Sequence, residues 1–192
     1  YDYKDVHLTF LTSTSDDNPH VAEVAAEYFV MKGQEKDAAR YKAAMKDCKS
    51  WQAKTRMAEA ANKNTTSMFS SAKTALQNEI KAALGAAKDP YEKAAWLKAW
   101  SSELRNFESI PKYTLPDQPI PVRTQAVTCL IDACRDKNFD AYFAGEGYLI
   151  KAQIGGYLAT AMKSGDPGII ALIAGAISDP KTGLKEIFKE RK

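Results

Sequence analysis

Val6, Leu8 and Phe10 alternate with polar neighbours in strand fashion, yet no partner strand is evident elsewhere in the chain. A lone strand is unstable, so residues 1–13 are expected to form an extended arm or a short helical start. Beyond them, apolar positions gather into segments of about a dozen residues separated by short polar turns, which is the rhythm of packed helices. The starts of these segments are well marked. In Asn18-Pro19, Asp89-Pro90, Asp166-Pro167 and Asp179-Pro180 a capping side chain precedes a proline. Proline has no N–H to leave unpaired in a first helical turn, and its fixed φ suits that position. Glu92 stands where a capping box places its acid. The pattern predicts helices over 19–32, 35–51, 53–62, 66–87, 90–107, 124–136, 139–153, 154–164, 167–178 and 180–190.

Between Ile110 and Pro121 lie four of the eight prolines, Pro111, Pro116, Pro119 and Pro121. Such a run is expected to be extended and semi-rigid. It also divides the composition, since Trp51, Trp96 and Trp100 precede it and eight of the ten glycines follow Phe143. The expected organisation is an extended arm over 1–18, a helical lobe over 19–109, a Pro-rich strap over 110–122 and a second helical lobe over 123–192.

Composition sharpens this to an all-α fold. Thirty of the 192 residues are alanine, the strongest helix former. The 27 basic and 24 acidic residues leave a net charge of +3, far from the basic excess that a duplex-DNA binder relies on. The longest apolar stretch, 169–177, is about half the length needed to span a bilayer, so no membrane span is expected. Cys48, Cys129 and Cys134 make an odd, sparse set, read as small buried hydrophobes rather than a disulfide framework. A chain that opens on Tyr1 and keeps free thiols fits a mature organellar protein whose targeting segment has been removed, and fits a trimmed cytoplasmic one equally. Asn64-Thr65-Thr66 matches a glycosylation acceptor, a pattern short enough to arise by chance.

Internal similarity adds a resemblance. From His20 the chain reads through Phe29 to Gly33, then Ala38, Met45 and Lys46. A second segment runs from Val127 through Ala133 to Asn138 and Phe139, and a third from Tyr157 through Met162 to Gly165, with Ile170 and Ile177 beyond. A weaker fourth is centred on Lys88-Asp89-Pro90. This resembles the pentatricopeptide repeat, in which an aromatic closes the first helix, Gly sits in the turn, and a small residue opens the packed face of the second helix. The resemblance implies an irregular stack of antiparallel helix hairpins, a TPR-like α-solenoid with the Pro-rich segment as connector. Gly33, Asn138 and Gly165 are then the turn positions, expected at positive φ, and Ala38, Ala133 and Ala171 the close-packing positions, with Met45 ending a helix.

Chemistry is sparse. The two histidines, His7 and His20, sit in no nucleophile–base arrangement, so no catalytic residue is expected. His20 shares a helix face with Glu23 and Glu27, at best half of a metal site, and the expectation is no metal and no cofactor. Gly145-Glu146-Gly147 is not followed by the rest of a phosphate loop, and Gly155-Gly156 marks a helix break or a tight contact. Relatives of the repeat often read RNA through polar residues near the start of each first helix. The matching positions here, near Val24 and Cys129, lack amide or hydroxyl groups, so RNA is an improbable partner. Trp96 and Trp100, one helical turn apart, are core residues or partner anchors, and the lysines from Lys181 onward form a solvated basic face.

The expectation is a non-catalytic helical subunit that binds protein within a larger assembly. The fold is similar to that of the F1-associated accessory subunits of euglenozoan mitochondrial ATP synthases, a resemblance that implies the F1 alpha subunit as partner. The alternatives are an organellar RNA-binding or ribosome-associated protein and a free-standing helical adaptor.

Overall fold

The computed structural model describes residues 19–63 and 73–190. Those residues form ten α-helices joined by 3-10 turns, with no strand among them. The elements are α1 (Pro19–Lys32), α2 (Ala38–Asp47), α3 (Trp51–Lys63), α4 (Lys73–Ala86), α5 (Pro90–Ser101), α6 (Ile120–Arg135), α7 (Phe139–Tyr142), α8 (Gly147–Met162), α9 (Pro167–Ser178) and α10 (Leu184–Glu190). The protein is all-α. Contacts divide it into two compact units, Tyr1–Glu103 and Leu104–Lys192.

In the first unit α3 is the centre. It packs against α1, α2, α4 and α5, and its Ala53, Ala58, Ala60 and Ala61 are buried. Alanine side chains let the neighbouring backbones approach closely, which explains why the alanine excess falls here. Phe29 of α1 stacks on Tyr41 of α2 with ring centroids 5.6 Å apart. The Tyr41 hydroxyl donates to the Met57 carbonyl of α3 at 2.7 Å. All three side chains are fully buried, each contributing about 1.5–3 kcal/mol of apolar transfer.

Two polar groups are also buried on α3. Asn62 Nδ2 donates to the Ala99 carbonyl and to Ser102 Oγ, both at 2.9 Å, while its Oδ1 accepts from Gln77. The Glu59 carboxylate lies 2.5 Å from Lys63, 3.3 Å from Lys98 and 3.7 Å from Arg56. Burial alone would raise its pKa, but the hydrogen bonds and charges of Lys63 and Lys98 hold it below the usual carboxylate value.

In the second unit α6 is central, burying Val122, Ala126, Val127, Leu130 and Ile131 against α8, α9 and the 3-10 segments Leu104–Ser109, Pro111–Thr114 and Pro180–Thr182. Phe143 joins Phe107, at 5.6 Å, and Phe139, at 4.8 Å, in one aromatic cluster. Thr182, fully buried, fastens the end of α9 to α10: its Oγ1 lies 2.8 Å from the Ala176 carbonyl and accepts the Leu184 N–H at 3.1 Å.

The Asp-Pro starts work as their chemistry dictates. Asp89 accepts the Tyr91 and Glu92 N–H groups at 2.9 Å, Asp166 that of Ile169, and Asp179 that of Lys181. Glu92 does not reach back in a box; its carboxylate accepts from Trp96 Nε1 at 3.3 Å. Asn18 lies outside the described residues, as do the 1–18 arm with His7, the 64–66 acceptor pattern and the expected start of the 66–87 helix.

Several expectations are corrected. The Pro-rich run is not an extended strap. Pro111 opens a 3-10 turn, Pro121 sits in the first turn of α6, and extended backbone remains at Leu115 and Pro119. Proline is compatible with a helix start, and four of them close together disguised two starts as a linker. The run packs on α6 within the second unit. Gly155-Gly156 breaks nothing, because α8 continues through it with Ile154, Gly155 and Leu158 buried. The expected 90–107 helix stops at Ser101, and 139–153 divides into the four-residue α7 and the start of α8. At that division Ala144 (φ 51°) and Gly145 (φ 91°) are both left-handed.

Candidate functional site

The turn residues singled out by the sequence do not behave alike. Gly165 is left-handed at φ 73°, and Arg123, buried on α6, braces that turn by donating to Ser164. Asn138 is not left-handed: its φ is −94°, and it stands before α7. Gly33 is likewise absent from the positive-φ glycines of the described residues, which are Gly145, Gly165 and Gly183. The chain turns there through Gln34, whose N–H donates to Asp37 Oδ2 at 2.9 Å. Ala38, Met45 and Ala133 are buried, whereas Ala171 is exposed.

Trp96 is 5% exposed, its indole fixed by Glu92, so its ring faces the interior. Trp100 is half-buried. Of the positions aligned with RNA-reading residues, Cys129 is buried and Val24 is exposed but carries no hydrogen-bonding group.

Among the described residues, no group of three or more His, Cys, Asp or Glu side chains is placed to hold a metal ion. His20 Nδ1 lies 3.9 Å from Glu23, but Glu23 is also engaged by Arg56 at 3.4 Å. Cys48, Cys129 and Cys134 are free and buried. Burial pushes the Cys134 thiol up to about 12 against the opposing pull of Lys151, so it is protonated at neutral pH and a poor nucleophile.

What the surface does offer is misplaced apolarity. On α1, Val24 is 65% exposed and Met31 58%, two turns apart on one face, while Ala25, Ala26, Phe29 and Val30 fill the opposite face. The helix is therefore apolar on two sides, only one of which meets α3. In the second unit α9 carries no charged residue from Pro167 to Ser178, though Ala171, Ala174 and Gly175 face outward. The chain matches no protein-family model, no curated protein and no solved structure. No helix among the described residues is long and apolar enough to cross a membrane.

Sequence reasoning missed the α1 stripe because Val24 and Met31 read as ordinary helical periodicity. The signal was present in the width of the apolar arc, since α1 has more apolar positions than one buried face can use. A single buried face covers little more than a third of the helix circumference.

Proposed function

We propose that the protein is a non-catalytic helical subunit that acts by binding another protein through α1. The observation that carries this reading is the exposure of Val24 and Met31 on one face of a helix whose opposite face is already buried. Scattered surface apolar residues are ordinary, but two aligned on one face give a partner helix a pair of apolar anchors to cover. The uncharged outward face of α9 supports the same mode of action, as it imposes no desolvation of charge on a docking surface. The pentatricopeptide-like hairpins remain part of the proposal, supported by the α8–turn–α9 hairpin with its left-handed Gly165 and the packed α4 and α5. That resemblance makes a mitochondrial assembly, and the F1 alpha subunit in particular, the first partner to test.

The test is affinity purification of the native protein beside a V24E/M31E variant, both exposed substitutions. Co-purification of F1 subunits with the native chain and their loss with the variant is the expected result. A monodisperse monomer without partner, or an association abolished by nuclease, would overturn the reading.

A further inference from the structure

Four helices of the first unit, α2, α3, α4 and α5, leave a cavity of about 530 Å³ between them. Met45, Ile80 and Trp96, all buried, supply apolar walls. Ala43 and Ala83 line it as well, and their short side chains leave the space that a larger residue would occupy. The volume lies in the range of small-molecule sites, and the space is partly open to solvent.

The charges around this space are one-sided. Lys42 and Lys46, one turn apart on α2, and Lys54, in the first turn of α3, line it together with a single acid, Glu79 of α4. Lys42 and Glu79 pair with each other at 2.8 Å. Lys46 and Lys54 have no ion-pair partner among the described residues, so the lining carries two uncompensated positive charges beside an apolar interior. Lysine stems lie along apolar surface while their ammonium groups reach outward, which places cations where the head of a bound molecule would emerge.

We propose that this cavity binds a small amphipathic carboxylate: an apolar chain seated against Met45, Ile80 and Trp96, its carboxylate held by Lys46 and Lys54. Both halves of the ligand are specified by the lining. A neutral apolar molecule would leave the two lysines unanswered, and a small anion would leave the walls wet. The Trp96 ring, oriented by its hydrogen bond to Glu92, forms part of the wall and reports on occupancy through its emission. The proposal is independent of partner binding through α1, whose exposed residues contribute nothing to the cavity.

The experiment titrates the full chain at low salt with decanoate, with decanol as the same body lacking the charge, and with acetate as the charge lacking the body. Calorimetry reads binding and tryptophan emission reads its place. Decanoate is expected to bind saturably and shift the emission, while decanol binds more weakly and acetate does not bind. The K46A/K54A variant, altered at two exposed or half-exposed positions, should weaken decanoate about three- to tenfold and flatten its salt dependence. W96F should lose most of the emission change and still bind by calorimetry. A larger residue at the wall, A83L, should reduce binding while circular dichroism shows the helices intact. Absence of saturable decanoate binding, equal binding of decanol, or an unaltered affinity in K46A/K54A would each overturn the proposal.

Discussion

The Tyr41 hydroxyl, carried by α2, donates its proton to the Met57 carbonyl of α3 at 2.7 Å in a site from which water is excluded. The bond fixes α2 against α3 at a defined point along both helices. Tyr41→Phe keeps the ring stacked on Phe29 and removes one buried hydrogen bond from a carbonyl that retains its helical partner, at a cost of about 0.5–1.5 kcal/mol. Chemical denaturation of the variant should show a lower midpoint and an unchanged slope.

Alkaline pH should destabilise the protein through two buried groups. The Tyr41 hydroxyl is pushed well above its usual value, by burial first and then by Glu27. The Cys134 thiol rises from 9.0 to about 12. In both cases the folded state holds its proton more tightly than the unfolded chain, so the associated stability is fully present below the unfolded values and declines as pH rises through the folded ones. For Cys134 that window runs from 9.0 to about 12. Cys134→Ala should flatten this part of a stability-against-pH curve while introducing its own constant cavity penalty.

Acid acts through Glu59. Its folded pKa lies below the ordinary 4.5, so its contribution is present at neutral pH and is lost as pH falls through the folded value. Glu59→Gln removes the charge between Lys63 and Lys98, both of which reach solvent, so the loss is expected to be about 1–2 kcal/mol rather than that of a fully enclosed pair. The variant should unfold at lower denaturant at pH 7 and lose less stability than the native chain on acidification.

Glycine substitutions separate a turn that demands φ above zero from one that does not. Gly165→Ala places a Cβ in open space but at φ 73°, at a cost of about 1–2 kcal/mol from conformation alone. Gly33→Ala meets no such conformational demand, so its thermal unfolding should lack this penalty. Gly147 is constrained differently: an added Cβ would stand 2.0 Å from the Asp140 carboxylate and 3.1 Å from its Cα. Part of that clash is with a movable side chain and part with backbone, so Gly147→Ala should shift the helix start and lower the melting temperature.

The helices were legible where a side chain announces a backbone state. Asp89, Asp166 and Asp179 cap helical segments as the Asp-Pro pairs indicate, and the expected helices 19–32 and 167–178 coincide with α1 and α9. Legibility failed where the decision is tertiary. Nothing local tells a proline opening a helix from one stiffening a linker; Pro111 and Pro121 are settled by burial of Ile110 and Val122. Gly155 and Gly156 weaken a helix in isolation, but packing of Ile154 and Leu158 keeps α8 continuous. The cavity was invisible for a similar reason. Its lining comes from four helices and from positions as far apart as Lys42 and Trp96, so no spacing in the chain marks it.

The burial of Cys48, Cys129 and Cys134 has a practical side. A protein whose own thiols are shielded accepts a single introduced cysteine as a chemically distinct handle under native conditions. Val24→Cys would place that handle on the exposed face of α1, where a thiol-specific crosslinker attaches the chain to whatever covers it.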